Sequence, residues 1–132
     1  MKRHLGQKKV SLGRLYRQHF YERILHRAPG FVEVYQELGK LYYQEGLHQK
    51  ALRIHHLWRQ ARPEDPLVYY YLACDYSVLS DLPRALACLE IALILGYRHQ
   101  AGLEKNPALT NLRHHPRYQI LLQRFFQSPA KR

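Results

Sequence analysis

Apolar positions along this chain follow the helical period over most of its length, recurring at i, i+3, i+4 and i+7 with polar residues between them. From Phe31 onward, Tyr35, Leu38 and Tyr42 fall on one helical face, and Tyr69, Leu72 and Tyr76 repeat the arrangement further on, each at the same interval from its counterpart. Small residues keep the same register: Gly39 and Ala51 in the first unit, Ala73 and Ala85 in the second. These are the places where two helices cross, because a large side chain there would push the axes beyond about 8 to 10 Å. Each unit therefore reads as two antiparallel helices carrying an apolar stripe that only a neighbouring unit can cover.

Caps and breakers set the bounds. Ser11 reads as the N-cap of a helix reaching about Arg27, with Leu12, Leu15, Tyr16, Phe20 and Ile24 on one face and Pro29-Gly30 beyond its end. A helix over 31–44 ends at Gly46, suited to the left-handed conformation, and its partner runs over 47–61. Asp65 followed by Pro66 opens the next helix, to about Leu79. Asp81, with Pro83 in the first turn, opens another from Leu82 to Leu95, stopped by Gly96. Asn106-Pro107 begins a short helical turn through Leu112. Pro116 opens a last helix with Tyr118, Leu121, Leu122 and Phe125 on one side. Residues 1–10 are polar and basic and are expected to fray, with 128–132 as a tail.

The run Tyr35-x-x-Leu38-Gly39-x-x-Tyr42, then Ala51 and Pro63, and its return as Tyr69, Leu72, Ala73, Tyr76 and Ala85, resembles the tetratricopeptide repeat in residue type and period. The resemblance covers Phe31 to Tyr97. It implies an all-α fold, a right-handed superhelix of antiparallel helix pairs. Two full repeats over 31–64 and 65–97 lie between capping segments over 11–29 and 98–127. Pro29 precedes Pro63 by one full repeat period, so the first helix takes the place of the second helix of an incomplete repeat. Residues 98–127 resemble the degenerate last segment of many bacterial members and imply a cap packed on the face of the helix from Leu82 to Leu95.

The resemblance also implies where function sits. The first helix of each unit lines a concave groove, which gives Glu33, Gln36, Lys40, Tyr43 and Gln44 from the first unit and Leu67, Tyr70, Tyr71, Cys74 and Val78 from the second. Such a groove suits an amphipathic helix or extended peptide of another protein, its apolar anchor held between tyrosines. Tyr70 and Tyr71 read equally well as tyrosines covering a neighbouring helix. Family members that grip the C-terminal carboxylate of heat-shock chaperones carry lysine or asparagine where this chain has Gln36, Lys40 and Tyr71, so that ligand is not expected.

Charge adds a second candidate. The formal net charge is +11, concentrated at the ends: residues 1–29 hold eight Lys/Arg against one acid and residues 98–132 seven against one. Residues 30–65 hold five against five and 66–97 one against three. An acidic partner is therefore expected to meet the ends. Nucleic acid is the alternative, through Lys2, Arg3, Lys8, Lys9, Arg14 and Arg17 at one end and Arg113, Arg117, Arg124, Lys131 and Arg132 at the other. Tyr16, Tyr118 and Phe126 lie nearby as stacking residues. No RNA-binding signature accompanies them, and two units cannot supply a base-reading code.

Catalytic and metal chemistry are not expected, and no cofactor is implied. No G-x-x-x-x-G-K, G-x-G-x-x-G, H-E-x-x-H or G-x-S-x-G run occurs, and the close acid pairs, Glu33 with Glu37 and Glu64 with Asp65, fall on a helix turn and a capped connection. The pairs His55-His56 and His114-His115 point in different directions on a helix and make no ligand set; the resemblance implies that His55 stands in for an aromatic of the repeat pattern and packs at a helix interface. Two cysteines, Cys74 and Cys88, on different helices suggest a reducing compartment rather than a disulfide scaffold. With no apolar run after Met1-Lys2-Arg3-His4 and none of membrane-spanning length, the chain is expected to be cytoplasmic.

Overall fold

A computed structural model describes residues 12–126. Ser11, the N-terminal lysines and arginine expected to meet a partner, and the tail with Lys131 and Arg132 lie outside the described residues. The elements in order are α1 (Leu12–Arg27), α2 (Val32–Gln44), α3 (His48–Ala61), α4 (Pro66–Val78), α5 (Leu82–Ile94) and α6 (Gln100–Lys105). A 3-10 turn (Pro107–Leu109), α7 (Thr110–Arg113) and α8 (Pro116–Phe126) follow. Among the described residues every regular element is helical. The fold is all-α, with α1 to α5 packed consecutively, each on the next. Short connections over 45–47, 62–65 and 79–81 force successive helices to run antiparallel.

The repeat period is visible in atoms. The Tyr35 hydroxyl donates to the carbonyl of Pro29, and the Tyr69 hydroxyl donates to the carbonyl of Pro63, so the same bond is made once in each unit. Leu38 and Leu72, and Ala51 and Ala85, are buried in pairs. Helix starts follow the cap chemistry: Asp65 accepts from the Leu67 amide, with Pro66 in the first turn, and Asp81 accepts from the Arg84 amide. α2 and α3 start from Phe31 and Leu47 with no side-chain cap. Helix ends repeat too. Gly46 (φ 76°) and Ser80 (φ 64°) occupy the left-handed region at equivalent places in the two units. The Leu47 and Asp81 amides then reach back to the carbonyls of Tyr42 and Tyr76 at 2.8 and 2.9 Å.

Two apolar clusters make the core. The first joins Leu25 of α1 to Tyr35, Leu38, Ala51, Trp58 and Val68, and the second joins Ala73, Ala85, Leu89 and Leu93 to Leu103, Leu109, Leu112 and Tyr118 of the C-terminal segment. Leu67, Tyr69 and Tyr71 of α4 border both.

Two expectations need correction at the ends. α6 stands where no helix was expected: it is a short helix, and Leu103 is its one buried residue, too little for a periodic signal. In α1, the face of Leu12, Leu15, Tyr16 and Phe20 points outward, and Ile24 is half-buried. The helix meets the stack through Leu25, with Tyr21 and Ile24 packed half-buried on the same cluster, and through polar groups: Arg14 pairs with Glu45 at 2.6 Å, and the Tyr42 hydroxyl donates to Glu22.

Candidate functional site

A cavity of about 140 Å³ opens between α2, α3, α4 and the 3-10 turn. Its walls are Gln36, Gly39, Lys40 and Tyr43 from one face of α2, His55 from α3, Tyr71, Cys74 and Asp75 from one face of α4, and Asn106 and Ala108. The spacings 36, 39, 40, 43 and 71, 74, 75 are those that put side chains on one side of a helix.

The floor is polar and buried. His55 Nδ1 and Asp75 Oδ2 lie 2.5 Å apart, and both side chains are nearly inaccessible. Burial raises the Asp75 carboxyl above its ordinary range, and the bond to His55 opposes that rise. The His55 imidazole occupies the space that a Cβ at position 39 would need, so a glycine in α2 is what lets the ring reach the cavity. Tyr71 stacks against that ring, centroids 5.3 Å apart and planes 18° apart, and Gln36 donates to its hydroxyl at 3.3 Å.

Cys74 lies beside Asp75 under Asn106, whose amide nitrogen is 3.7 Å from the sulfur. Burial pushes this thiol well up, so at neutral pH it is a protonated apolar wall and not a nucleophile. Lys40 stays exposed at the rim, 3.8 Å from Glu37.

Of the residues expected in a groove, Gln36, Lys40, Tyr43, Tyr71 and Cys74 line this cavity. Glu33 and Gln44 do not: both are exposed on α2 away from it, while Leu67 and Val78 pack half-buried against the core. Tyr70 is a correction. It is buried, its hydroxyl donates to the Gly102 carbonyl at 3.0 Å and accepts from Asn106 at 2.8 Å, and its ring stacks on Tyr97 at 4.5 Å. It fastens the C-terminal segment to α4.

His55, Asp75, Gly39, Asn106 and Ala108 were not foreseen at the site. Asp75 had a signal, as the one charged residue within the otherwise uncharged run from Leu67 to Val78. Asn106 had none beyond its cap motif, because it arrives from a different element far along the chain.

The basic C-terminal end is partly engaged. Arg113 donates to the carbonyls of Leu103 and Asn106, and Arg124 pairs with Glu90 at 3.0 Å. Tyr118, expected as a stacking residue, is buried with its hydroxyl on the Leu103 carbonyl. No helix among the described residues is long and apolar enough to cross a membrane.

No protein-family model and no curated protein matches this chain. The fold and the site define a class: an all-helical protein of consecutively packed helices, with a cavity the size of one side chain between them.

Proposed function

We propose that this chain is a tetratricopeptide-type helical repeat protein without enzymatic activity, which binds a segment of another protein by seating one side chain in the cavity bounded by Tyr43, Tyr71 and His55. The observation that carries this reading is the cavity itself. It has aromatic walls and volume for one apolar side chain, and Gln36 and Lys40 stand at its edge for the polar backbone or an acidic neighbour of that side chain. The repeat assignment is supported by the paired tyrosine bonds to Pro29 and Pro63 and by the paired left-handed residues Gly46 and Ser80. A reducing, cytoplasmic setting agrees with the two free thiols.

Capture of partners from a native lysate, with nuclease and without it, tests the reading. A discrete protein that resists nuclease and moderate salt, and is lost with Tyr71→Ala or Tyr43→Ala, is the expected outcome. Recovery of nucleic acid alone, released by salt and indifferent to both substitutions, would replace this reading with a phosphate-binding one.

A further inference from the structure

A second surface has no apolar neighbour among the described residues. Leu12, Tyr16 and Phe20 form a ridge at i, i+4 and i+8 along the outer side of α1, and they are 82%, 73% and 44% exposed. A helix that ends a stack normally turns a polar face outward. α1, the first described helix, keeps its aromatic ridge outward while it meets the stack through Leu25, Arg14 and Glu22. Where the ridge ends, Phe20, Arg23, Ile24 and Arg27 enclose a shallow hollow.

The charge around the ridge indicates what covers it. Arg17, Arg23 and Arg27 are exposed along α1, and the helix's one acid, Glu22, is turned inward to the Tyr42 hydroxyl. A second copy of the chain, pairing the same face about a twofold axis, would set these arginines against each other. The chain's own residues 1–11 contain Lys2, Arg3, Lys8 and Lys9 and no acid, so they carry the same sign. A membrane surface asks for a broad apolar face, and this one is a single ridge of the kind that fits between the ridges of another helix.

We propose that the outer face of α1 docks an acidic amphipathic helix of another protein. Leucine-type side chains of that helix straddle the Tyr16 and Phe20 ridge, and its carboxylates meet Arg17, Arg23 and Arg27. The ridge from Leu12 to Ile24 is about 18 Å long, room for an incoming helix of three to four turns. This surface is separate from the cavity and does not depend on it.

Two synthetic helical peptides test the proposal against the full chain, one with leucines on one face and glutamates elsewhere, the other with lysines in place of the glutamates. The glutamate peptide is expected to bind about tenfold or more tightly than the lysine peptide. Tyr16→Ser with Phe20→Ser should weaken it by about tenfold or more, at exposed positions where folding, followed by circular dichroism, stays intact. Tyr71→Ala should leave it unchanged, and Arg17→Glu with Arg23→Glu should invert the preference between the peptides. Equal binding of both peptides, or of neither, overturns the proposal. So does loss with Tyr71→Ala, binding to phosphatidylserine vesicles that the serine substitutions abolish, or a concentration-dependent dimer that they dissolve.

Discussion

His55 on α3 and Asp75 on α4 share a hydrogen bond of 2.5 Å in the interior, and both side chains are almost wholly removed from water. The pair ties the second helix of one unit to the first helix of the next. Removing one partner strands the other, which costs more than the bond itself contributes. Asp75→Ala is therefore expected to destabilise the chain by roughly 3 to 5 kcal/mol. Asp75→Asn, which keeps an oxygen for His55 Nδ1–H, should cost less, about 1 to 3 kcal/mol. Urea titration of the two variants checks the order.

The same carboxyl and a neighbouring imidazole should leave opposite marks on stability against pH. Asp75 has a folded pKa raised above its ordinary 3.8 by burial, so the folded chain holds that proton where the unfolded chain has released it. Its contribution is fully present below 3.8 and is lost as pH rises through the folded value. His56 is the converse. Burial first, then Arg59, lowers it from 6.5, so its contribution is present above 6.5 and is lost as pH falls through the folded value. Unfolding free energies measured across the acid range should show that Asp75→Asn removes a decline above 3.8 and His56→Gln a decline below 6.5.

Gly39 and His55 form a coupled contact between α2 and α3. A methyl at position 39 would overlap the imidazole, so Gly39→Ala should destabilise by about 1 to 3 kcal/mol despite alanine's better helix propensity. In a His55→Ala background the overlap disappears, and the same substitution should cost much less. A double-mutant cycle read by chemical denaturation measures the coupling, and strictly additive costs would contradict it.

How much of this was legible in the sequence follows from what a periodic pattern can record. Leu38 with Leu72 and Ala51 with Ala85 could be read because each position appears twice at one fixed interval, and each is buried. The face of α2 carrying Gln36, Lys40 and Tyr43 followed from the repeat. Tyr70 and Tyr71 could not be told apart, since successive residues point about 100° apart on a helix and both are tyrosine. What separates them is Asn106 and Gly102, supplied by a segment with no repeat signal. The ridge on α1 was visible as a face, but a pattern of apolar residues does not say whether a neighbour exists to cover it. Asp75 was missed because its partner lies on another helix, in a space that exists only because residue 39 is glycine.

Tyr70 and Tyr71 should consequently separate in their effects. Tyr70→Phe removes a hydroxyl that bonds Gly102 and Asn106, which should cost about 1 to 2 kcal/mol and loosen the C-terminal segment first. Hydrogen exchange in α6 and α7 would report it. Tyr71→Ala should weaken partner capture more than Tyr70→Phe does, because its ring lines the cavity and the Tyr70 ring does not. A variant pair with the reverse pattern would move the site away from the cavity.

Ser80 offers a test of the repeat geometry that is independent of any ligand. It is the one non-glycine residue with positive φ among those described, at 64°, and in the preceding unit Gly46 holds the same place at 76°. Both end a helix in the same way: the Glu45 and Leu79 amides bond the Leu41 and Asp75 carbonyls, each at 3.1 Å. A side chain in that conformation crowds its own backbone, and glycine does not. Ser80→Gly should therefore stabilise the chain by about 0.5 to 1 kcal/mol, the relief of strain exceeding the extra freedom glycine gives the unfolded chain. Ser80→Ala keeps the Cβ and isolates the hydroxyl, so it should bring no such gain. Thermal melts of the two variants beside the parent decide it: a higher midpoint for glycine alone assigns the gain to φ, and equal midpoints for glycine and alanine would mean that Ser80 carries no backbone strain.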